Sequence, residues 1–235
     1  MPAPPAAGAK GIIFDLDGTL ADTPQAITAI LMKILADRGA TPGEARVRAV
    51  VGRPLEPALA GLLALSPDHP VVTTAVDDYK RRFREHLRDR GAELAYPGVP
   101  EGLSALRADG RLLGIATSKP RGAAERMLGL MNVAEEFRAV AGHDTVRRGK
   151  PDPEMALHVA AALGLAPAEC VVVGDGVGDV EMGAAAGMEV IGVTYGVATG
   201  PELLAAGAAR TAGSFAELMD LLLPTPALRD AKESR

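Results

Sequence analysis

Two aspartates separated by one residue follow a short apolar run near the start of the chain, in the segment "GIIFDLDGTL". Asp15 and Asp17 therefore stand at the end of a stretch that is typical of a buried strand. Like charges at this spacing repel, and a low-dielectric surrounding strengthens the repulsion. Such a pair needs a cation, a proton or a catalytic role, and Gly18 behind it permits a tight turn.

Other polar side chains also follow apolar runs. The run "RLLGIAT" ends in a threonine, and "CVVVGD" ends in an aspartate with a second one four residues later. A lysine lies in the loop segment "RRGKPDP", ahead of a helical pattern. The residues concerned are Thr117, Ser118, Lys119, Lys150, Asp175 and Asp179.

The elements that must position these residues alternate between strands and helices. The runs "KGIIFD", "RLLGIAT", "CVVVGD" and "EVIGVT" are typical of strands buried on both faces of a parallel sheet. The alternation predicts an α/β fold, a doubly wound, Rossmann-like parallel sheet with right-handed crossovers. Ligands bind such sheets beyond the carboxyl ends of the strands, where the polar side chains would converge. Helices are predicted over 100–109, 121–131, 153–163, 179–186 and 214–223.

One segment breaks the alternation. From Gln25 to about Gly91 the patterns are helical, beginning with "QAITAILMKILADRG", whose apolar residues repeat with a period of 3.6. We therefore predict a helical cap domain inserted into the α/β core. The expected bounds are a disordered leader over 1–9, a core over 10–20 and 97–223, the cap over 21–96, and a C-terminal tail over 224–235.

Three carboxylates, a hydroxyl and an amine at one sheet edge suit phosphoryl transfer. Mg²⁺ prefers oxygen ligands and keeps several waters, so one or two carboxylates and a substrate phosphate suit this ion. A lysine offsets negative charge, and the hydroxyl of Thr117 can donate to a phosphoryl oxygen. Asp15 could attack phosphorus, while Asp17 could protonate the leaving group and then deprotonate water.

Four segments, "DLDGTL", "GIATSK", "GKPDP" and "VVVGDGVGDVEMGAAAG", resemble the four motifs of the haloacid dehalogenase (HAD) superfamily of phosphatases, in the same order. The resemblance covers roughly residues 10 to 223, and the helical insert stands at the position of the α-helical (C1-type) cap. The segments "DLDGTLADTPQAI", "YPGVPEGLSALRADG" and "RRGKPDPEMAL" look most like the phosphoglycolate phosphatases and their close relatives.

The resemblance implies roles for the three aspartates that follow strands. Asp15 would be the nucleophile that forms an aspartyl-phosphate and would also be a Mg²⁺ ligand. Asp17 would be the general acid and base, and its backbone carbonyl would also ligate the metal. Asp175 would complete the protein's share of the metal ligands.

The resemblance also implies roles for the remaining polar residues. Thr117 would hold the transferring phosphoryl group, Lys150 would neutralise Asp15 and the phosphate, and Asp179 would orient Lys150 or a metal-bound water. Arg53, in the break "VGRPLEP" between cap helices, is a candidate substrate contact. The expected substrate- and phosphate-binding set is Gly18, Arg53, Thr117, Ser118, Lys119 and Lys150.

Composition narrows the classes of partner. The formal net charge is -5 and aromatic residues make up 3% of the chain, which argues against a general nucleic-acid or membrane-surface binder. Only one cysteine is present, and no apolar run approaches the roughly 20 residues of a membrane span. We expect a cytoplasmic protein that acts on a small phosphorylated metabolite, with the choice between monomer and homodimer open.

The preferred hypothesis is a Mg²⁺-dependent phosphatase that hydrolyses a small phosphomonoester, with 2-phosphoglycolate favoured by resemblance. A pyrophosphatase, a nucleotide or sugar phosphatase, and a phosphomutase similar to β-phosphoglucomutase are the enzymatic alternatives. A phospho-acceptor signalling domain is the alternative from a different class, and the second aspartate and the inserted helices argue against it.

Overall fold

A parallel sheet forms the centre of the protein in the computed structural model, which describes residues 6–223. The strands run in the order β3-β2-β1-β4-β5-β6, so the winding direction reverses between β1 and β4. This doubly wound order places a ligand crevice at the carboxyl ends of those two strands. The strands are β1 (Gly11–Phe14), β2 (Leu112–Ala116), β3 (Phe137–Ala141), β4 (Cys170–Gly174), β5 (Glu189–Val193) and β6 (Arg210–Ala212).

Helices cover both faces of this sheet, and four of them precede α5 without an intervening strand. Helices α1 to α4 form the helical insert (Pro24–Arg90), which lies where the sequence predicts a strand-free helical segment. Its treatment as a separate cap domain over 21–96 stays a proposal. The helices are α1 (Pro24–Ala36), α2 (Glu44–Arg48), α3 (Leu55–Leu63), α4 (Pro70–Arg90), α5 (Val99–Ala108), α6 (Arg121–Leu130), α7 (Glu154–Leu163), α8 (Val177–Ala185), α9 (Gly200–Ala206) and α10 (Phe215–Leu222).

The central strands are apolar throughout because both of their faces are buried. In β1, Ile12 and Phe14 pack into the hydrophobic cluster on one face of the sheet. Ile13 packs into the cluster on the opposite face, as the alternation of side chains along a strand requires. The sheet is therefore covered on both sides, and its carboxyl edge is where polar side chains gather.

The residues ahead of β1 differ from expectation. Residues 6–9 were assigned to a disordered leader on sequence. Instead, Ala6–Gly8 form a short 3₁₀ turn, and Ala6 and Ala9 are buried in the core. Their small side chains fit under α10, and the guanidinium of Arg111 donates to the carbonyl of Ala9. The prediction is therefore wrong for 6–9, while residues 1–5 and the predicted tail over 224–235 lie outside the described residues.

No helix in the described part of the chain combines the length and the apolar character that crossing a membrane requires.

Candidate active site

The aspartates after β1 and β4 are neighbours because their strands pair in parallel. Phe14 and Val173 are in register, and the amide of Asp15 donates to the carbonyl of Val173 at 2.8 Å. Asp15 and Asp175, which follow these strands, therefore meet at the switch point of the sheet. Carboxylate oxygens of Asp15, Asp175 and Asp179 all lie within 4.8 Å of one another, and the three residues are buried.

Lys150 supplies a positive charge to this acidic cluster from the loop before α7. Its Nζ lies 2.5 Å from Oδ1 of Asp15 and 2.5 Å from Oδ1 of Asp179. Burial raises the pKa of Asp15 to about 7 against the opposing effect of Lys150. Burial alone would lower the pKa of Lys150, but the charges of Asp15 and Asp179 raise it above its ordinary value. Lys150 is therefore a permanent cation at this edge.

Asp175 has no lysine of its own within the cluster. Burial raises the pKa of its carboxyl well above the ordinary value, and the charges of Asp15 and Asp179 add to the effect. Its oxygens accept hydrogen bonds from Thr19 Oγ1 at 3.2 Å and from the amide of Val197 at 2.8 Å. One lysine thus faces three buried carboxylates, and this all-oxygen donor set fits a hard divalent cation such as Mg²⁺.

Two glycines make room for the Asp175 carboxylate. Gly18 has a φ of 85°, and a Cβ atom at this position would collide with the carboxyl group of Asp175. Gly196, in the loop after β5, would collide with the same side chain if it carried a Cβ atom. Gly18 therefore belongs to the site through its backbone, as a turn residue that lets β1 and β4 bring their carboxylates together.

Asp17 lies next to this cluster, but its carboxylate has different partners. Thr23 Oγ1 donates to Oδ1 of Asp17 at 2.6 Å, and Lys119 Nζ lies 2.7 Å from Oδ2. Among the described residues, the group of carboxylates spaced to share a metal ion does not include that of Asp17. The separation agrees with the expectation that Asp17 uses its carboxyl group for proton transfer, which stays a prediction.

The predicted phosphate-binding residues after β2 reach the same edge. Thr117 is buried, and β2 pairs with β1 through Ile115 and Phe14, so the threonine follows the carboxyl end of β2, one position beyond the residue level with Asp15. Ser118 is half-buried next to it. Lys119 Nζ lies 2.7 Å from Oδ2 of Asp17, and its expected contact with the substrate phosphate stays a prediction.

Asp179 occupies a different helical position from the one considered on sequence. Helix α8 begins at Val177, so Asp179 is its third residue and not its first, as the predicted range 179–186 had it. Its Oδ2 accepts from the amide of Gly176 at 3.0 Å while its Oδ1 faces Lys150. The carboxylate therefore both closes the helix start and holds Lys150 in place.

Arg53 is not brought together with these residues. Its side chain is exposed, and it makes no hydrogen bond or ion pair with the described site residues. A different arginine of the insert reaches the core, since Arg48 donates to the carbonyl of Gly196 at 2.6 Å. Sequence reasoning missed Arg48 and Val197, because nothing in their local sequence marks their distant partners. It also missed Thr23, whose partner Asp17 lies only six residues away.

The fold agrees with comparisons to known proteins. Residues 12–193 match the family model described as haloacid dehalogenase-like hydrolase, and the chain belongs to this family. A solved structure of a hydrolase from Pseudomonas syringae has the same fold, with a TM-score of 0.78 at 24% identity over 96% of this chain and 99% of that one.

Three curated relatives are named as phosphatases. "Probable phosphatase IndB" of Dickeya dadantii is 40% identical over 88% of this chain and 91% of its own. N-acetylmuramic acid 6-phosphate phosphatase of Pseudomonas aeruginosa is 36% identical over 80% of this chain and 82% of its own. Phosphoglycolate phosphatase of Rhodospirillum rubrum is 35% identical over 92% of both chains.

Proposed function

We propose that this protein is a Mg²⁺-dependent phosphatase that hydrolyses a small phosphomonoester through an aspartyl-phosphate on Asp15. The observation that carries the proposal is the buried Asp15 carboxylate, 2.5 Å from Lys150 and next to Asp175 at the switch point of the sheet. A carboxylate held between a cation and a metal position is a shielded nucleophile that an anionic phosphate can approach. Family membership and three relatives named as phosphatases support the reaction class.

In the first half-reaction the chain transfers the phosphoryl group to itself. Mg²⁺ held by Asp15, Asp175 and the carbonyl of Asp17 would neutralise charge on the phosphoryl oxygens. Lys150 contacts Oδ1 of Asp15, so Oδ2 is the oxygen that attacks phosphorus. The bond from phosphorus to the leaving oxygen breaks, and Asp17 gives that oxygen a proton. Thr117 donates its hydroxyl to a phosphoryl oxygen.

The second half-reaction returns the enzyme to its starting state. Asp17, now a carboxylate, takes a proton from a water molecule as the water attacks phosphorus. The bond between phosphorus and Asp15 breaks, which releases inorganic phosphate and restores the Asp15 carboxylate. Lys150 offsets the negative charge on Asp15 before and after transfer, because it lies within ion-pair distance of this carboxylate.

2-Phosphoglycolate is the first candidate substrate. Phosphoglycolate phosphatases align with the chain over nearly its whole length, as the relative from Rhodospirillum rubrum does over 92% of both chains. A 6-phosphorylated amino sugar is the second candidate. The relative named N-acetylmuramic acid 6-phosphate phosphatase is 36% identical to this chain, and the phosphoglycolate phosphatase of Rhodospirillum rubrum is 35% identical. The small difference in identity makes a direct comparison of the two substrates necessary.

A phosphate-release screen tests the proposal. Purified protein with Mg²⁺ is assayed against 2-phosphoglycolate, N-acetylmuramic acid 6-phosphate, a nucleoside monophosphate, pyrophosphate and a hexose 1-phosphate, with kcat/KM for each. We expect the highest value for 2-phosphoglycolate. A higher kcat/KM for N-acetylmuramic acid 6-phosphate would make that compound the assigned substrate. Conversion of the hexose 1-phosphate into a hexose 6-phosphate would show that the protein is a mutase.

The metal is tested separately. Protein treated with EDTA and freed of the chelator is expected to release no phosphate until Mg²⁺ is added. Full activity without any added divalent cation would contradict the metal assignment while leaving the phosphatase assignment in place.

A further inference from the structure

Lys119 connects the helical insert to the catalytic edge. Its Nζ lies 2.7 Å from Oδ2 of Asp17, and the same atom lies 4.4 Å from the centre of the Phe83 ring in α4. The side chain of Lys119 is 13% exposed and that of Asp17 is 7% exposed. A largely buried cation therefore touches both the insert and the carboxyl group that we assign to proton transfer.

Both oxygens of the Asp17 carboxylate are held by donors. Thr23 Oγ1, at the start of α1, donates to Oδ1 at 2.6 Å, and Lys119 occupies Oδ2. Proton transfer requires the carboxyl group to lie within hydrogen-bond reach of the leaving oxygen. Two anchors on opposite oxygens fix the plane of the group, which a single anchor would leave free to turn.

An aromatic stack holds Lys119 on its other side. The Phe83 ring is parallel to that of Tyr79, with centroids 5.5 Å apart, and His86 stacks on Phe83 at 6.2 Å. Phe83 and Tyr79 are buried. An ammonium group over an aromatic face is attracted by the ring, and more strongly where water is excluded. The flexible lysine chain is therefore confined between the stack and Asp17.

We propose that Lys119 is a positioning residue for Asp17 and that Phe83 holds Lys119 in place, so that the insert sets the orientation of the proton-transferring carboxyl group. The proposal rests on the proposed function, because it requires Asp17 to protonate the leaving group. The expectation that Lys119 binds the substrate phosphate is the competing role, and the experiment distinguishes the two.

Two substrates of nearly equal size test this role. Phenoxide is a stronger base than p-nitrophenoxide, so phenyl phosphate gains more from proton donation than p-nitrophenyl phosphate. The ratio kcat/KM reports only the steps up to departure of the leaving group. For Lys119→Met we expect kcat/KM to fall about tenfold further with phenyl phosphate than with p-nitrophenyl phosphate. A lysine that bound the phosphate itself would lower both values equally.

Three further variants separate positioning from general structural damage. Lys119→Arg should recover part of the loss with phenyl phosphate, since a guanidinium keeps the charge and stacks on aromatic faces. Phe83→Leu should show a smaller loss that is again selective for phenyl phosphate. Phe215→Leu is the matched control, because this buried phenylalanine lies in α10 and makes none of these contacts. It should leave both values unchanged.

The outcomes distinguish this proposal from the proposed function. Equal losses with the two substrates in Lys119→Met and Phe83→Leu would overturn the positioning role. A parent protein that is inactive on both substrates and on every phosphate of the screen would instead contradict the proposed function. If Lys119→Met does not fold, as judged by circular dichroism, the substrate ratios of Lys119→Arg and Phe83→Leu decide the question.

Discussion

The Nζ atom of Lys150 lies 2.5 Å from Oδ1 of Asp15, although 135 positions separate the two residues in the chain. Both side chains are less than a tenth exposed. Lys150 also contacts Asp179, so its charge stays paired when Asp15 is replaced. Removing Lys150 instead would leave buried carboxylates uncompensated, which costs about 3–5 kcal/mol in measured cases. The pair therefore ties the chemistry of the site to the stability of the sheet edge that carries it.

Replacing the nucleophile should abolish turnover without unfolding the protein. Asp15→Asn keeps the size of the side chain but cannot form an aspartyl-phosphate, so we expect kcat to fall by about 10³-fold or more. The measurement is phosphate release from the best substrate, with circular dichroism to verify folding. Asp220→Asn, an exposed aspartate in α10, is the matched control and should retain parental activity. A folded Asp15→Asn protein with the parental rate would refute the mechanism.

The stability of the metal-free protein should fall as the pH rises from 5 to 8. Burial raises the pKa of Asp15 from its ordinary value of 3.8 to about 7, and the pKa of Asp175 is also raised. A carboxyl whose folded pKa is raised contributes stability that is complete below its ordinary pKa. That contribution, on the order of a few kcal/mol, is lost as the pH passes through about 7. The measurement is Tm in EDTA at several pH values.

Mg²⁺ should reverse this loss, because a cation takes the place of the protons. We therefore expect the increase in Tm caused by Mg²⁺ to be larger at pH 8 than at pH 5. Asp15→Asn should flatten the pH dependence in EDTA. If Tm instead rises from pH 5 to pH 8, by the same amount in parent and variant, the carboxylates of Asp15 and Asp175 do not govern the pH dependence of Tm.

Arg48 should support the metal site from the insert. It donates to the carbonyl of Gly196 at 2.6 Å, and the amide of the next residue, Val197, donates to Asp175. Loss of this partly buried hydrogen bond costs about 1 kcal/mol, so Arg48→Ala should raise the Mg²⁺ concentration for half-maximal activity about fivefold. Arg46→Ala is the matched control, since Arg46 bonds only within the insert, to Gly61. Equal effects of the two substitutions would argue against the role.

Cys170 should be an unreactive thiol. It is buried in β4, and burial followed by the charge of Glu169 raises its pKa to about 11. Since the thiolate is the reacting form, the native protein at pH 8 should label slowly with a disulfide reagent and rapidly once unfolded. Activity should persist through prolonged exposure to that reagent. Fast stoichiometric labelling of the folded protein would contradict this prediction.

Sequence patterns predicted the central strands well and the edge strands poorly. β1, β2 and β4 are continuous apolar runs, and β5 is apolar after Glu189, because both faces of the sheet are covered. β3 and β6 lie at the two edges of the sheet, and their partly exposed residues lack such a run. The short helices α2 and α9 were missed as well, because five and seven residues are too few to show a helical period.

The candidate site also has features that sequence patterns predicted and features that they did not. The sequence by itself determined the residue types and their order: Asp15, Asp17, Thr117, Lys150, Asp175 and Asp179 follow apolar runs or lie in loops, and parallel strands bring such positions to one edge. The side-chain pairings were decided only by the tertiary structure. From its position in the chain Lys119 could reach a substrate or Asp17, and only the folded structure shows its Nζ at Asp17 and over the Phe83 ring of the insert.

The same reason explains why Arg53 was considered and Arg48 was overlooked. Both arginines lie in the insert, yet only Arg48 is hydrogen-bonded to the loop beside Asp175. Local sequence encodes the period of apolar residues, the turns and the charges. These features determine where strands and helices form and which polar groups stand at the strand ends. A long flexible side chain can reach several partners from one position, so its contact is set by how the insert packs over the sheet.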